Sequence, residues 1–195
     1  MVAERYQDAP KIWTYSELQA RDKERGEERR EEVYDGELCI MSSPKLRHQK
    51  ILLALAMLLE LYAREHAAGQ VYIAPVDLYI SETSFFEPDL MFVAQARLDS
   101  ERIEREDGAC LVAPPDLIIE IVSDSTGRND RVKKFNAYES FGVRHYWLVD
   151  PDEKTLLAFE LREGRYTREA ALTDEDTFAP ALFPGLQIPL APLFA

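Results

Sequence analysis

The sequence predicts an α/β protein with a mixed central β-sheet flanked by helices. Three observations predict it. Helical and strand-like segments alternate along the chain, the pattern of a sheet with helices packed on it. One run, PPDLIIEIVSDS from Pro114 to Ser125, is so continuously apolar that it reads as a central strand covered on both faces. The apolar fraction, 46% of 195 residues, is enough for a sizeable core. With no internal repeat, low-complexity tract or Gly/Ser linker to divide it, the chain is expected to form a single domain over residues 1–195.

The elements follow in order. Thr14 and Glu17 form a Thr-x-x-Glu capping box that predicts a first helix from Thr14 to about Arg25, stopped near Gly26. EEVYDGELCIMS then places the turn pair Asp35-Gly36 between two short alternating runs, the mark of a β-hairpin. The long helix comes next, opening at Ser43-Pro44 and carrying ILLALAMLL, with Gly69 as the expected C-cap. Its centre is apolar nearly all round, which predicts burial on a sheet on one side and a partner subunit on the other. VYIAPVDLYIS reads as one strand and EPDLMFVA as another entered through Pro88; Arg97 to Gly108 is irregular and charged. After the central strand, GRNDRVKKFNAYESFG is helical with Gly142 as its stop, VRHYWLVDP is a strand, and TLLAFELREGRYTREAAL is a hairpin turning at Glu163-Gly164.

The formal net charge of −13 argues against a broad phosphate-binding surface, because sequence-independent nucleic-acid affinity comes from Lys and Arg. Such a role would need a local basic rim or a metal ion. RDKERGEERREE mixes both signs and reads as an exposed segment with local ion pairs. Cys39 and Cys110 stand far apart without a C-x-x-C pair, which fits inert thiols in a reducing cytoplasm. The longest apolar segment, Ile51 to Leu59, is about half of the ~20 residues that a spanning helix needs, so a soluble protein is expected.

Two acids stand out by context. Asp89 heads a strand directly after Pro88, and Glu120 sits inside the apolar central run, where an ionised carboxylate is costly unless something compensates it. Strands adjacent in sequence often pair, which would bring the two carboxylates together. Their mutual repulsion would raise a pKa unless a divalent cation lay between them, and Mg²⁺ or Mn²⁺ suits hard oxygen ligands. Lys134 projects from near the first turn of the following helix, ~6 Å along its axis from Asp130. If that helix packs back on the sheet, its ammonium can orient a water and offset charge in a phosphoryl transition state.

With these residues in view, EPDL, PPDLIIEIVSDS and NDRVKKFNAYESFGVRHYWLVDP resemble the Uma-two family of restriction endonucleases, within the PD-(D/E)XK nuclease superfamily. WTYSEL, VYDGELCIMSSPKLRHQ and FPGLQIPL resemble it too, so the likeness covers most of the chain. The resemblance implies a restriction-endonuclease-like core: a helix, a mixed four- or five-stranded sheet and a second helix, performing Mg²⁺-dependent phosphodiester hydrolysis on DNA. It assigns metal binding to Asp89, Glu120 and the backbone carbonyl of Ile121. The superfamily's Lys would stand two residues after the second acid, where this chain has Val122; Lys134 occupies the matching place in the Uma-type branch, with Lys133 beside it. Glu37 matches a recurrent acid of the family, which implies that it joins the site as a further carboxylate or through a metal-bound water. A homodimer with two sites for two strands is also expected.

Other residues carry bland readings. His48 matches the family's pattern but reads as capping or packing, and so do His66 and His145, since no second His or Cys stands at ligand spacing. Asp77 would at most lean on the site from the preceding strand. Tyr146 and Trp147 read as core, with base stacking the lesser option. Arg128, Arg131 and Lys133 are candidates for a basic rim. Two rivals to the nuclease stay open: a non-catalytic binding or regulatory protein that keeps the fold, and a metal-dependent phosphohydrolase acting on RNA or a small nucleotide.

Overall fold

The computed structural model describes residues 11–25, 31–41, 43–105, 110–123 and 128–195. Helix α1 (Tyr15–Arg25) begins with the reciprocal cap expected from its sequence: the Glu17 amide donates to Thr14 Oγ1 at 3.2 Å, and the Thr14 amide donates to Glu17 Oε2 at 3.1 Å. Gly26, its expected stop, lies outside the described residues. Strands β1 (Glu31–Tyr34) and β2 (Glu37–Ile40) form the hairpin, and both turn residues, Asp35 and Gly36, adopt positive φ as a tight turn requires.

Helix α2 (Leu46–His66) is followed by β3 (Gly69–Ile73), β4 (Asp77–Ser81), β5 (Ser84–Phe86), β6 (Leu90–Ala94) and the short α3 (Gln95–Leu98). Next come β7 (Cys110–Leu111), β8 (Leu117–Ile121), α4 (Arg128–Phe141), β9 (His145–Asp150), β10 (Thr155–Arg162) and β11 (Arg165–Thr173). The chain closes with β12 (Thr177–Phe178), β13 (Ile188–Pro189) and α5 (Leu190–Leu193).

The strands divide between two larger sheets. A six-stranded mixed sheet runs β11-β10-β9-β8-β6-β3, and a five-stranded sheet runs β2-β1-β5-β4-β7. Two expectations change here. VYIAPVDLYIS is not one strand: it breaks at Ala74-Pro75-Val76, with β3 on the edge of the six-stranded sheet and β4 inside the five-stranded one. The α2 cap is Ala67, in the left-handed region at φ 46° and ψ 41°, and not Gly69. Gly69 is needed two residues later, where β3 meets β6 so closely that a Cβ would stand 2.0 Å from the Val93 carbonyl oxygen.

Strand β8 lies inside the six-stranded sheet, antiparallel to β6 and parallel to β9. Its apolar run is explained by its two covered faces. Leu117, Ile119 and Ile121 pack with α2 residues Leu52, Leu55 and Leu59 and with Phe183 and Leu190 of the C-terminal segment. Ile118 packs the opposite way, with Tyr138 of α4 and with Leu78 and Phe86 of the five-stranded sheet. Tyr146 and Trp147 of β9 are buried on these opposite faces, as core residues. Helix α2 buries one side only; Leu46, Leu53, Met57 and Leu61 are 85%, 61%, 56% and 63% exposed. Among the described residues no helix is long and apolar enough to cross a membrane.

Candidate functional site

The site forms where the end of β8 meets the entrance of β6, between α2 and α4. Leu90 of β6 is opposite Ile119 of β8. Continuing that antiparallel register by one residue sets Asp89 opposite Glu120, and both are buried. Asp89 Oδ2 accepts the Ile121 amide at 2.8 Å and lies 3.1 Å from His48 Nε2 of α2. His48 is thus buried against the site, not merely packed near a helix start. Its other nitrogen, Nδ1, is buried with no hydrogen-bond partner among the described residues.

Glu120 points to the α4 side. Tyr138 donates to Glu120 Oε1 at 2.6 Å, and Lys134 Nζ donates to Oε1 and Oε2 at 3.2 and 3.3 Å. Lys134 is buried, which a surface-helix lysine would not be. A further acid completes the cluster: Glu32 of β1, 2% exposed, takes the Lys134 ammonium on Oε1 at 2.8 Å and the Glu87 amide at 3.0 Å. Burial pushes the Glu120 carboxyl well above the ordinary carboxylate range, and the charges of Asp89 and Glu32 push it further. Lys134 and the Tyr138 hydroxyl oppose that rise without cancelling it. The Tyr138 hydroxyl is itself raised by burial and by Glu120.

Beside Glu120 a small pocket is lined by Val122, Arg131 and Lys134 among others. Val122 therefore faces the space into which the helix sends its lysine. Arg131 reaches this rim and pairs with Asp150 at 3.6 Å; the side chains of Arg128 and Asp130 lie outside the described residues. The hairpin supplies the site with Glu32, whereas the side chain of the expected Glu37 is 67% exposed and accepts from Lys133 at 2.6 Å. Position 37 pairs with Tyr34 and so shares the pleat face of Glu32, but it stands beside the hairpin turn, where it meets Lys133 and solvent and not the buried Lys134. The sequence signal for Glu32 was only that an acid precedes Val33 in a short strand, and Glu31 beside it is equally buried but pairs with Arg21.

Asp77 lies off the centre. It accepts the Tyr15 hydroxyl at 3.1 Å, and its pKa is raised to about 6, chiefly by burial, with Glu87 and Glu32 adding to the rise. His66 stacks on Tyr62 at the surface, and His145 lies buried 4.0 Å from Glu169. Neither Cys39 nor Cys110 forms a disulfide.

A mixed sheet between two helices, with buried acids and a lysine gathered at one strand end, is the architecture of a nuclease fold. The crystal structure of a protein described as "a putative nuclease belonging to DUF820", from Anabaena variabilis, matches it with a TM-score of 0.69 over 84% of this chain and 89% of that one. At 17% identity that likeness shows the fold. The chain belongs to the Uma2 family, described as "Putative restriction endonuclease", which it matches over residues 14–191. A curated relative, "Uncharacterized protein sll1609" of Synechocystis, is 27% identical over 142 residues, 72% of this chain and 76% of the relative.

Proposed function

We propose that the chain is a Mg²⁺-dependent endonuclease, with Mn²⁺ able to substitute, that hydrolyses phosphodiester bonds of DNA. The observation that carries this reading is the meeting of Asp89 and Glu120 from paired strands with the buried ammonium of Lys134 beside a pocket. Burial first, and then the nearby charge of Asp89, raise Glu120, so the two acids carry more negative charge than Lys134 offsets. That excess fits a hard divalent cation. Among the described residues no three His, Cys, Asp or Glu side chains are arranged to hold a metal ion. The fit is therefore to two carboxylates, with further positions left for water and phosphate, as Mg²⁺ accepts. Asp89, Glu120 and the Ile121 carbonyl would hold it. When bound, the cation supplies Lewis-acid polarisation of the phosphate and eases ionisation of the attacking water.

The chain's own groups do the rest. His48 and the Ile121 amide fix Asp89 Oδ2, so the other oxygen is presented in a set direction. Lys134 orients the water and offsets charge as the phosphoryl group becomes more anionic. Arg131 and Lys133 form the local basic rim that would receive flanking phosphates despite the net charge of −13. That net charge favours a second reading, a protein of this fold that binds without cutting.

The deciding experiment is cleavage of plasmid, single-stranded DNA and RNA with Mg²⁺, Mn²⁺ and EDTA, using Asp89→Ala and Lys134→Ala as controls. Divalent-dependent DNA cleavage that falls by about a hundredfold or more in both variants is expected. Cleavage unchanged by both substitutions would remove the site assignment. Binding without turnover would leave the second reading, and RNA or nucleotide turnover alone would make the protein a phosphohydrolase of another substrate.

We also propose a homodimer joined through the exposed side of α2. Its support is the stripe of Leu46, Leu53, Met57 and Leu61. Two copies crossed antiparallel midway between Leu53 and Met57 would set Leu53 against Met57 and Lys50 against Glu60, a self-complementary pairing in both shape and charge.

A further inference from the structure

We infer that Glu32 is the positioning residue for Lys134: it keeps the ammonium in place while Glu120 serves a cation. This rests on the nuclease reading above and assigns a role to a carboxylate which that reading does not use. Lys134 Nζ stands 2.8 Å from Glu32 Oε1 but 3.2 Å from the nearer Glu120 oxygen, so Glu32 is its closer partner. Both groups are almost wholly buried, which makes the pair strongly felt and costly to break from one side.

The geometry gives the pair a reason. A lysine placed two residues after Glu120 would have been held by the strand itself, but that position is Val122. The lysine comes instead from α4 on a flexible four-carbon stem, and needs a fixed acceptor at its far end. Were Glu120 that sole acceptor, a divalent cation on the same oxygens would repel the ammonium and compete with it for the carboxylate's lone pairs. Glu32 removes the conflict by holding Lys134 from the β1 side. Glu32 is itself tied down by the Glu87 amide, two residues before Asp89, so one carboxylate aligns the lysine with the segment that carries the first acid.

Glu32→Gln tests this, read by Mn²⁺ calorimetry, by kcat and KM for DNA cleavage, and by thermal melting. With the charge gone, Lys134 falls onto Glu120. Mn²⁺ affinity and kcat should each drop about tenfold or more, while KM changes little. Adding Lys134→Met to Glu32→Gln should return Mn²⁺ affinity to the level of Lys134→Met alone without returning kcat, an outcome a purely structural ion pair would not give. Parental Mn²⁺ affinity and kcat in Glu32→Gln, or a double variant whose Mn²⁺ affinity stays low, would overturn the inference. Should Glu32→Gln melt below the assay temperature, Glu32→Asp carries the same test. It keeps the charge but draws it back by one methylene; kcat should fall partway, and unchanged kcat and Mn²⁺ affinity would count against Glu32. A parent that binds Mn²⁺ but cuts nothing removes the nuclease reading and leaves the calorimetry to decide Glu32. A parent that binds no Mn²⁺ overturns both.

Discussion

Lys134 and Tyr138 are four residues apart on α4, so both reach Glu120 from one face of the helix. One supplies charge and the other a neutral donor, and together they make a buried carboxylate tolerable. Asp77 has a weaker version of the same support, one hydroxyl from Tyr15 and the distant charge of Arg105. Its folded pKa of about 6 exceeds the ordinary 3.8, so the fold favours the neutral acid. The stability this contributes is complete below about pH 4 and is lost as pH rises through about 6, a loss of order 3 kcal/mol. Asp77→Asn should flatten this part of the stability profile, measured by urea unfolding at several pH values. A variant as pH-sensitive there as the parent would show that Asp77 is not the group responsible.

At the scale of elements, the turn from α2 into β3 holds two opposite demands within three residues. Ala67 bears the left-handed conformation that glycine adopts without cost, while Gly69 fills a place where no side chain fits. Ala67→Gly should therefore raise stability by about 0.5–1 kcal/mol. Gly69→Ala should lower it by more than about 2 kcal/mol, since the Val93 carbonyl is backbone and cannot swing away. Equal and opposite shifts in melting temperature, or a stabilising Gly69→Ala, would contradict this reading of the corner. Pairing of β6 with β8 matters most for the site: it turns the sequence separation between Asp89 and Glu120 into a cross-strand neighbour relation.

At the scale of the whole molecule, the five-stranded sheet carries β1, and with it Glu32, to Lys134 of α4. Outside, the apolar stripe of α2 and the net charge of −13 make opposite demands on association. If copies pair through α2, sedimentation should give a dimer at micromolar concentration, and Met57→Glu should shift it to monomer while leaving the melting temperature within a few degrees. A parent that stays monomeric throughout would exclude that interface.

The sequence by itself determined the local elements. The Thr14–Glu17 cap, the Asp35-Gly36 and Glu163-Gly164 turns, the long helix and the doubly covered strand each depend on residues adjacent in the chain, where capping, turn chemistry and periodicity act. It also determined the Uma2 likeness, because order and spacing along the chain carry it. Only tertiary structure decided which of Glu31, Glu32 and Glu37 reaches the buried lysine, that VYIAPVDLYIS serves two sheets, and that His48 bonds Asp89. Those outcomes depend on which strand positions meet which distant helix, and three acids within seven residues look alike until that packing fixes which of them reaches the lysine.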